Sequence, residues 1–196
     1  AETQQRVLLD ELNHRVKNNL QMLQSLLFTA ARRARSPEAQ EVLNEATSRI
    51  AAVAAAQRVL YAIKDATRFS AQEFMGSVCQ TARQTFPSHV SIACEADPVE
   101  LPNDAAMPLA LILNELLTNA VKHGARGGAA RVIRAGLKRG VDSFTLYVED
   151  DGPGFDPEEV RGRSSGLQLV QGLARQLRGR FQVTTEPTTR CSVVFS

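Results

Sequence analysis

His14 is the first side chain of this sequence that is suited to covalent chemistry. In a helix, its neighbours one turn away are all polar, namely Asp10, Glu11, Lys17 and Asn18. A solvent-facing imidazole is largely neutral near pH 7 and is a usable nucleophile. The pattern therefore indicates a histidine that can accept a transferred group, although a lone exposed histidine is more often only a surface residue.

A glycine-rich turn follows Asp150 in the segment DDGPG. Gly152 and Gly154 allow positive φ angles and a close approach of the backbone to a ligand. Asp150 adds a carboxylate beside that turn. Similar turns occur in ordinary hairpins, so this segment by itself is weak evidence of ligand binding.

A second glycine-bearing segment, GRSSG, runs from Gly162 to Gly166 and opens a predicted helix. Ser164 is its middle residue, and Leu167 follows it. Backbone N–H groups and the positive end of the helix dipole meet at such a start, which favours an anion. An ordinary glycine-bearing helix start is the alternative.

The helix NELLTNAVKHG carries Glu115, Asn119, Lys122 and His123 near one face. Asn119 offers an amide oxygen, a ligand type that suits Mg²⁺ on nucleotide phosphates, and Lys122 would neutralise phosphate charge. For each residue alone, a solvated polar stripe is the alternative. The three segments together indicate a nucleotide site. The sequence has neither the GxxxxGK[ST] motif of a P-loop nor the signatures of protein kinases, so both of these classes of nucleotide site are excluded.

Two N-terminal helices must position His14. They are predicted over about residues 3 to 33 and from Ser36-Pro37-Glu38 to about residue 61, because Ser36 can cap a helix and Pro37 suits its first position. Joined by two or three residues, they form an antiparallel hairpin. The first helix has an apolar seam at Leu9, Leu12, Val16, Leu23, Leu26 and Ala30. Because a hairpin cannot cover its apolar faces alone, we expect pairing with a second copy into a four-helix bundle.

From about residue 67 the pattern changes to mixed helices and strands. Helices are predicted over 71–85, 103–123 and 166–178, and strands over 90–95, 99–101, 129–137, 181–185 and 191–195. A further strand, alternating from residue 144, delivers Asp150 to its end. The sequence therefore predicts an α+β chain with a helical hairpin in residues 1–64 and a second domain in residues 67–196.

Composition narrows the class of protein. The 196 residues carry 23 basic and 21 acidic side chains, a formal net charge of +2, which offers no general basic surface for nucleic acid. No apolar run approaches the roughly 20 residues of a membrane helix. The three cysteines lack metal-ligand spacing and fit a reducing compartment. Because the chain begins without methionine and enters a helix almost at once, we expect a sensor domain upstream in a longer protein.

The order of the motifs is informative: HRVKNNLQ, then NELLTNAVKHG, DDGPG and SSGLQLVQGLA. The last three resemble the nucleotide boxes of the ATPase fold shared by histidine kinases, gyrase-type topoisomerases and Hsp90-type chaperones. With HRVKNNLQ, nearly the whole chain resembles the catalytic core of a two-component sensor histidine kinase of the HRxxN subclass, related to the HWE kinases. The resemblance implies an α/β-sandwich ATPase domain after the hairpin, ATP and Mg²⁺ as cofactors, a homodimer and a cytoplasmic location.

The resemblance also implies roles for individual residues. His14 would be the phosphoacceptor, Asn119 the magnesium ligand, and Asp150 the carboxylate that accepts the adenine amino group. Glu115 matches the acidic position one turn before the magnesium ligand. The other nucleotide-binding positions would be Gly152, Gly154, Gly162, Ser164, Gly166, Leu167, Lys122 and His123. The phosphoryl group would then pass to an aspartate of a response-regulator receiver domain.

Three features depart from the family pattern. Arg15 follows the acceptor where the larger histidine-kinase class has an acidic residue, so we expect Glu11, or else Asp10, to receive the proton. Ser164 replaces a glycine, and only seven residues separate the two glycine-rich segments, which predicts a short lid over ATP. Tyr147-Val148-Glu149 stands where HWE members carry Trp-x-Glu.

Two other functions remain open. The chain could be a phosphotransfer or phosphatase module acting on a receiver domain, with a mostly structural nucleotide domain. Asn18, four residues after His14, sits where related kinases carry a hydroxyl or amide that orients water for dephosphorylation. A gyrase-like or chaperone-like ATPase would hydrolyse ATP without a phosphohistidine, but it gives no reason for HRVKNNLQ.

Overall fold

Two long antiparallel helices open the chain in the computed structural model, which describes residues 2–62, 67–124, 131–151, 165–185 and 187–196. Helix α1 spans Glu2–Arg33 and helix α2 spans Pro37–Ala62. The Ser36 hydroxyl oxygen accepts a hydrogen bond from the Ala39 backbone N–H at 3.1 Å, as expected of an N-cap. The predicted hairpin and the predicted start of its second helix are therefore confirmed.

Most of the apolar seam of α1 faces solvent and not α2. Leu12 and Leu26 are 57% and 60% exposed. The stripe of α1 that is less exposed, and that turns toward α2, contains Leu20, Leu27 and Ala31. The hairpin therefore closes on its more polar stripe and leaves its most apolar stripe uncovered.

Short strands and three further helices follow the hairpin. They are β1 Arg68–Ser70, α3 Ala71–Arg83, β2 Val90–Ala96, β3 Glu100–Pro102, a 3₁₀ turn Asn103–Ala105, α4 Ala106–Gly124, β4 Arg131–Arg139, β5 Phe144–Asp150, α5 Ser165–Gln176, β6 Arg180–Thr184 and β7 Thr189–Phe195. Every predicted helix and strand is present, with ends shifted by up to three residues. Residues 129 and 130, predicted to begin a strand, lie outside the described residues.

Five of the strands form one sheet in the order β2-β4-β5-β7-β6. Strands β2 and β4 are parallel, whereas the other neighbouring pairs are antiparallel. Helices α3, α4 and α5 cover one face of this sheet. Because side chains alternate along a strand, Leu146, Val148 and Asp150 of β5 point to the helices, while Tyr147 and Glu149 lie on the opposite face.

A separate two-stranded sheet pairs β1 with β3. Strand β1, which has only three residues, was not predicted. The predicted helix over 103–123 begins three residues later than expected, since Asn103–Ala105 form the 3₁₀ turn. The α+β fold with an N-terminal helical hairpin is nevertheless the predicted one.

One hydrophobic core includes both α2 and the sheet. Ala52, Ala55, Ala56 and Val59 of α2 belong to the same buried cluster as the residues of α3, α4 and the strands. Residues 63–66, where the predicted domain boundary falls, lie outside the described residues, so the division of the chain stays a prediction. None of the described helices is long and apolar enough to cross a bilayer.

Candidate active site

His14 is exposed on α1 and lines a groove of about 390 Å³ between α1 and α2. This agrees with the prediction of a presented imidazole. Nine of the twelve lining residues have polar side chains, including Asp10, Asn13, Lys17, Gln57, Arg58 and Tyr61, although most of the surface that they expose in the groove is carbon. A group transferred to His14 would therefore meet polar side chains from both helices.

The two acidic residues one turn before His14 have different surroundings. Glu11 accepts hydrogen bonds from Arg15 Nε and Nη2 at 3.2 and 2.5 Å, and both side chains are exposed. Glu11 is not part of the groove lining, whereas Asp10 is. Asp10 is thus the carboxylate that shares the groove with His14.

Two cationic side chains flank the same groove. Neither Lys17 nor Arg58 has an ion-pair partner among the residues that the structure describes. Arg58 Nη2 donates one hydrogen bond, at 3.1 Å, to Thr81 Oγ1 of α3. The groove therefore offers positive charge from both helices beside the imidazole, and Arg58 reaches from it to α3.

Asp150 is buried at the end of β5, on the face of the sheet that the helices cover. Its cross-strand partner is Thr189, the first residue of β7, which is also buried. Cys191 is also buried, two residues beyond Thr189 on β7, and its burial together with the negative charge of Asp150 raises the pKa of its thiol to about 12. The structure therefore places a carboxylate and a hydroxyl side by side where β5 ends and β7 begins.

Asn119 is half-buried on α4, and its side chain makes no hydrogen bond with another described residue. Its buried Nδ2 is one of the side-chain atoms without a partner. An amide that is not committed to the protein can turn its oxygen to a ligand, so Asn119 fits the predicted role at a metal. His123, one turn further, is exposed.

The other two predicted residues of α4 are engaged by α2. Glu115 is buried and accepts hydrogen bonds from Arg49 Nε at 2.8 Å and Nη2 at 3.0 Å. Lys122 Nζ donates to Glu41 and Glu45, each at 2.7 Å. The predicted nucleotide helix is thus also the docking surface of α2.

Of the two glycine-rich segments, the described residues include only Asp150 and Asp151 of the first and the end of the second. Gly152, Gly154, Gly162 and Ser164 lie outside the described residues, as does the predicted short lid. Gly166 and Leu167 are buried in the first turn of α5. Among the described residues, the groove at His14 is lined by α1 and α2 alone, so neither Asn119 nor Asp150 contributes to it.

Comparison with known proteins decides the family. Residues 11–86 match a family described as "Histidine kinase", and residues 104–196 match one described as "Histidine kinase-, DNA gyrase B-, and HSP90-like ATPase". The chain belongs to the histidine kinases. This confirms the resemblance and the fold class that the motifs indicated.

Curated relatives of this histidine kinase are themselves named as histidine kinases. Sensor histidine kinase PdtaS of Mycobacterium tuberculosis is 31% identical over 179 residues, which cover 83% of this chain and 33% of the relative. Blue-light-activated histidine kinase 1 of Erythrobacter litoralis is 28% identical over 185 residues, covering 93% and 50%. The chain therefore spans about a third to a half of these relatives.

A solved structure shows the same fold. The histidine kinase domain of a blue-light-activated histidine kinase from Erythrobacter litoralis superposes with a TM-score of 0.66 at 17% identity, covering 89% of this chain and 95% of that chain. The arrangement of hairpin and sheet in this histidine kinase is thus shared with a solved relative.

Tyr147 and Glu149 have structural partners on the open face of the sheet. The Tyr147 hydroxyl donates to Glu95, and Arg190 lies 4.0 Å above the Tyr147 ring. Burial and the bond to Glu95 raise the pKa of Tyr147 to about 12. Glu149 pairs with Arg190 at 3.2 Å. In this histidine kinase the Tyr-Val-Glu segment therefore helps to hold neighbouring strands together.

Sequence reasoning did not find Thr189 or Arg58. Thr189 lies beside Asp150 only because β7 pairs with β5 in a particular register. Arg58 reaches the groove only because α2 packs beside α1. Neither residue belongs to a local sequence motif. Only the pairing of β5 with β7 and the packing of α2 beside α1 show that they lie at the site.

Proposed function

We propose that this chain transfers the γ-phosphoryl group of ATP to His14 and then to an aspartate of a response-regulator receiver domain. The observation that carries the proposal is the exposed His14 in a groove that charged side chains also line, in a chain that also contains an ATPase-type sheet with a buried Asp150. The cytoplasm supplies both ATP and receiver domains, and we infer that the reaction takes place there.

The chemistry at the acceptor follows from the groove. A nitrogen of the His14 imidazole attacks the γ-phosphorus, the bond from phosphorus to the bridging oxygen breaks, and ADP leaves. The imidazole N–H proton passes to Asp10, the carboxylate in the groove. Lys17 and Arg58 offset the negative charge of the phosphoryl oxygens, because phosphoryl transfer depends mainly on positioning and charge neutralisation.

The nucleotide side follows from the sheet and from α4. Asp150 would accept a hydrogen bond from the adenine amino group, with Thr189 beside it as a second polar contact. Asn119 would supply an amide oxygen to Mg²⁺, and a bound Mg²⁺ would neutralise phosphate charge. Lys122 would bind a phosphate oxygen once it is released from Glu41 and Glu45.

The groove and the nucleotide residues are lined by different elements, so transfer requires the two to approach. The apolar stripe of α1 suggests how a second copy takes part. Leu9, Leu12 and Leu26 are all more than half exposed, which fits a homodimer that buries them in a four-helix bundle. Transfer within one chain and between two chains are both compatible with this arrangement.

Incubation with γ-labelled ATP and Mg²⁺ tests the proposed function. We expect acid-labile label on the unaltered chain and none on His14→Ala, because phosphohistidine is acid-labile and His14 is the proposed acceptor. Label that survives the substitution would contradict the assignment of the acceptor. Adding a receiver domain should remove the label from the kinase and place it on the receiver.

A second function is supported by the position of Asn18. Its side chain is exposed on α1 one turn beyond His14, where it can orient a water for receiver dephosphorylation. A chain that binds nucleotide, takes no label, and accelerates loss of phosphate from a receiver would favour this phosphatase function. Asn18→Ala should then abolish that acceleration.

A further inference from the structure

The contact between α2 and α4 has a buried end. Arg49 and Glu115 form a bidentate ion pair in which the Glu115 side chain is 8% exposed. Beside it, Ser48 Oγ donates to Asn114 Oδ1 at 2.8 Å. The bonds to Glu115 raise the pKa of Arg49 despite partial burial. Breaking this end would leave a buried carboxylate without a partner, so it acts as the fixed end of the contact.

The other end of the same contact is more exposed. The Lys122 side chain is 36% exposed, and its partners Glu41 and Glu45 are 61% and 29% exposed. Desolvation acts to lower the pKa of Lys122, but the bonds to both carboxylates outweigh it and raise the pKa. The lysine is therefore charged and held by two anions in a place that water reaches. Exposed ion pairs are individually weak, so this end can open.

Asn119 lies between the two ends. It is one helical turn from Glu115 and nearly one turn from Lys122, so the polar stripe of α4 that α2 covers is also the predicted nucleotide stripe. Asn119 itself makes no hydrogen bond to a described residue. Lys122, by contrast, is already bonded to two carboxylates of α2.

We propose that Glu41 and Glu45 compete with nucleotide phosphate for Lys122, so that nucleotide binding opens the exposed end of the contact between α2 and α4. The inference rests on the proposed function, because it takes Lys122 as a phosphate ligand. Two carboxylates at 2.7 Å satisfy the ammonium in the same way that phosphate oxygens would. The ammonium has three donors, two of which are occupied by α2 in this arrangement.

The consequence is a thermodynamic coupling between the hairpin and the nucleotide site. Coupling between two sites is reciprocal. If nucleotide binding weakens the docking of α2 on α4, that docking must lower the affinity for the nucleotide by the same factor. The buried Arg49–Glu115 pair keeps the helices together while Lys122 changes partner. The hairpin that carries His14 thereby responds to the occupancy of the nucleotide site.

Nucleotide affinity tests the competition. We expect the double substitution Glu41→Gln and Glu45→Gln to tighten binding of a non-hydrolysable ATP analogue with Mg²⁺ by about three- to tenfold, in line with the weak strength of exposed ion pairs. Titration calorimetry on the full chain measures it. Glu38→Gln is the matched control, because it removes one negative charge from an exposed position of the same helix and should leave affinity unchanged.

A further substitution ties the effect to the lysine. Lys122→Gln should weaken analogue binding, and in that background the glutamate substitutions should no longer improve it. If the glutamate double variant binds the analogue as tightly as the unaltered chain, or less tightly, the competition is wrong. Thermal melting of each variant shows that the fold is retained and that the comparison is between folded proteins.

Hydrogen exchange supplies a second readout. The analogue should increase amide exchange near Glu41 and Glu45 in the unaltered chain, and unchanged exchange there would overturn the opening of this end. If the unaltered chain binds no nucleotide at all, the proposed function fails together with this inference. Intact binding and phosphorylation of His14, with no effect of the glutamate substitutions, would overturn the competition alone.

Discussion

At the scale of single residues, the surroundings of Asp10 and Glu11 favour Asp10 as the carboxylate that receives the proton of His14. Asp10 shares the groove with His14, whereas Glu11 is paired with Arg15. We expect Asp10→Asn to slow autophosphorylation by about tenfold or more, because a positioned carboxylate that receives the proton is lost. Glu11→Gln should change the rate by less than about twofold. Initial rates of acid-labile labelling measure both.

The same pair of variants can contradict this assignment. A larger effect of Glu11→Gln than of Asp10→Asn would show that Glu11 leaves Arg15 and receives the proton, as first expected from the sequence. An unchanged rate in both would mean that the proton goes elsewhere, for example directly to water.

At Gly136, the neighbouring Tyr147 ring leaves no room for a larger side chain. A Cβ at this position would lie 2.4 Å from the Tyr147 ring, and that ring is fixed between Glu95 and Arg190. We expect Gly136→Ala to lower the free energy of unfolding by about 1–3 kcal/mol, because the ring must shift. Urea denaturation followed by circular dichroism measures the change.

Gly76 provides the matched control for that substitution. It lies inside α3 with no atom within 4 Å of an added Cβ. Gly76→Ala should leave stability unchanged or raise it by about 0.4–1 kcal/mol, because alanine favours the helix and restricts the unfolded chain. If Gly136→Ala behaves like Gly76→Ala, the Tyr147 ring is free to move and the open face of the sheet is not rigid.

At the scale of elements, what could be predicted is what is encoded locally. The start of α2 follows from Ser36 and Pro37, and β5 follows from its alternating residues. Of the two three-residue strands, β3 was predicted to within one residue, at 99–101, whereas β1 was not predicted. The stripe of α1 that packs on α2 was not predictable either, because apolar spacing identifies a face but not its partner.

The same distinction applies to the candidate site. Asp150 and Asn119 could be proposed from the sequence because their motifs are contiguous. The ion pairs of Glu115 and Lys122 with α2 could not, because they join residues 66 to 81 positions apart. Such contacts depend on how two helices cross, and a single sequence carries no direct signal of that crossing.

The uncovered stripe of α1 leads to a prediction about assembly. We expect Leu12→Lys combined with Leu26→Lys to convert a dimer to a monomer at micromolar concentration. Burying each leucine contributes about 1.5–3 kcal/mol, and a two-fold interface carries every substitution twice. Val141→Lys is the control, because Val141 is 95% exposed between β4 and β5. Sedimentation velocity distinguishes the two states, and an unaltered chain that is already monomeric would contradict the prediction.

At the scale of the whole molecule, the hairpin and the sheet are parts of one packed body. Ala55 and Ala56 of α2 are fully buried in the cluster that also contains Phe74 and Leu113. Since α2 contributes to this core, we infer that the nucleotide domain depends on the hairpin for part of its stability. A change at the contact between α2 and α4 should therefore affect unfolding of the whole chain.

The Arg49–Glu115 pair is the place where that dependence can be measured. Arg49→Met leaves the buried Glu115 carboxylate without its partner, so we expect the free energy of unfolding to fall by about 3 kcal/mol. Arg15→Met also breaks an arginine–glutamate pair, but both of its side chains are more than half exposed, so it should cost less than about 0.5 kcal/mol. Adding Glu115→Met to Arg49→Met should restore part of the loss, because no buried charge is then left unpaired.

Denaturant unfolding of the single and double variants gives the coupling energy of the pair. The shape of the unfolding curve shows whether the hairpin and the sheet unfold together. One transition that moves as a whole with Arg49→Met is expected when hairpin and sheet share a core. Two transitions, of which only the first moves, would mean that the hairpin separates before the sheet unfolds. The inferred dependence of the nucleotide domain on the hairpin would then be wrong, because the sheet would remain folded without α2.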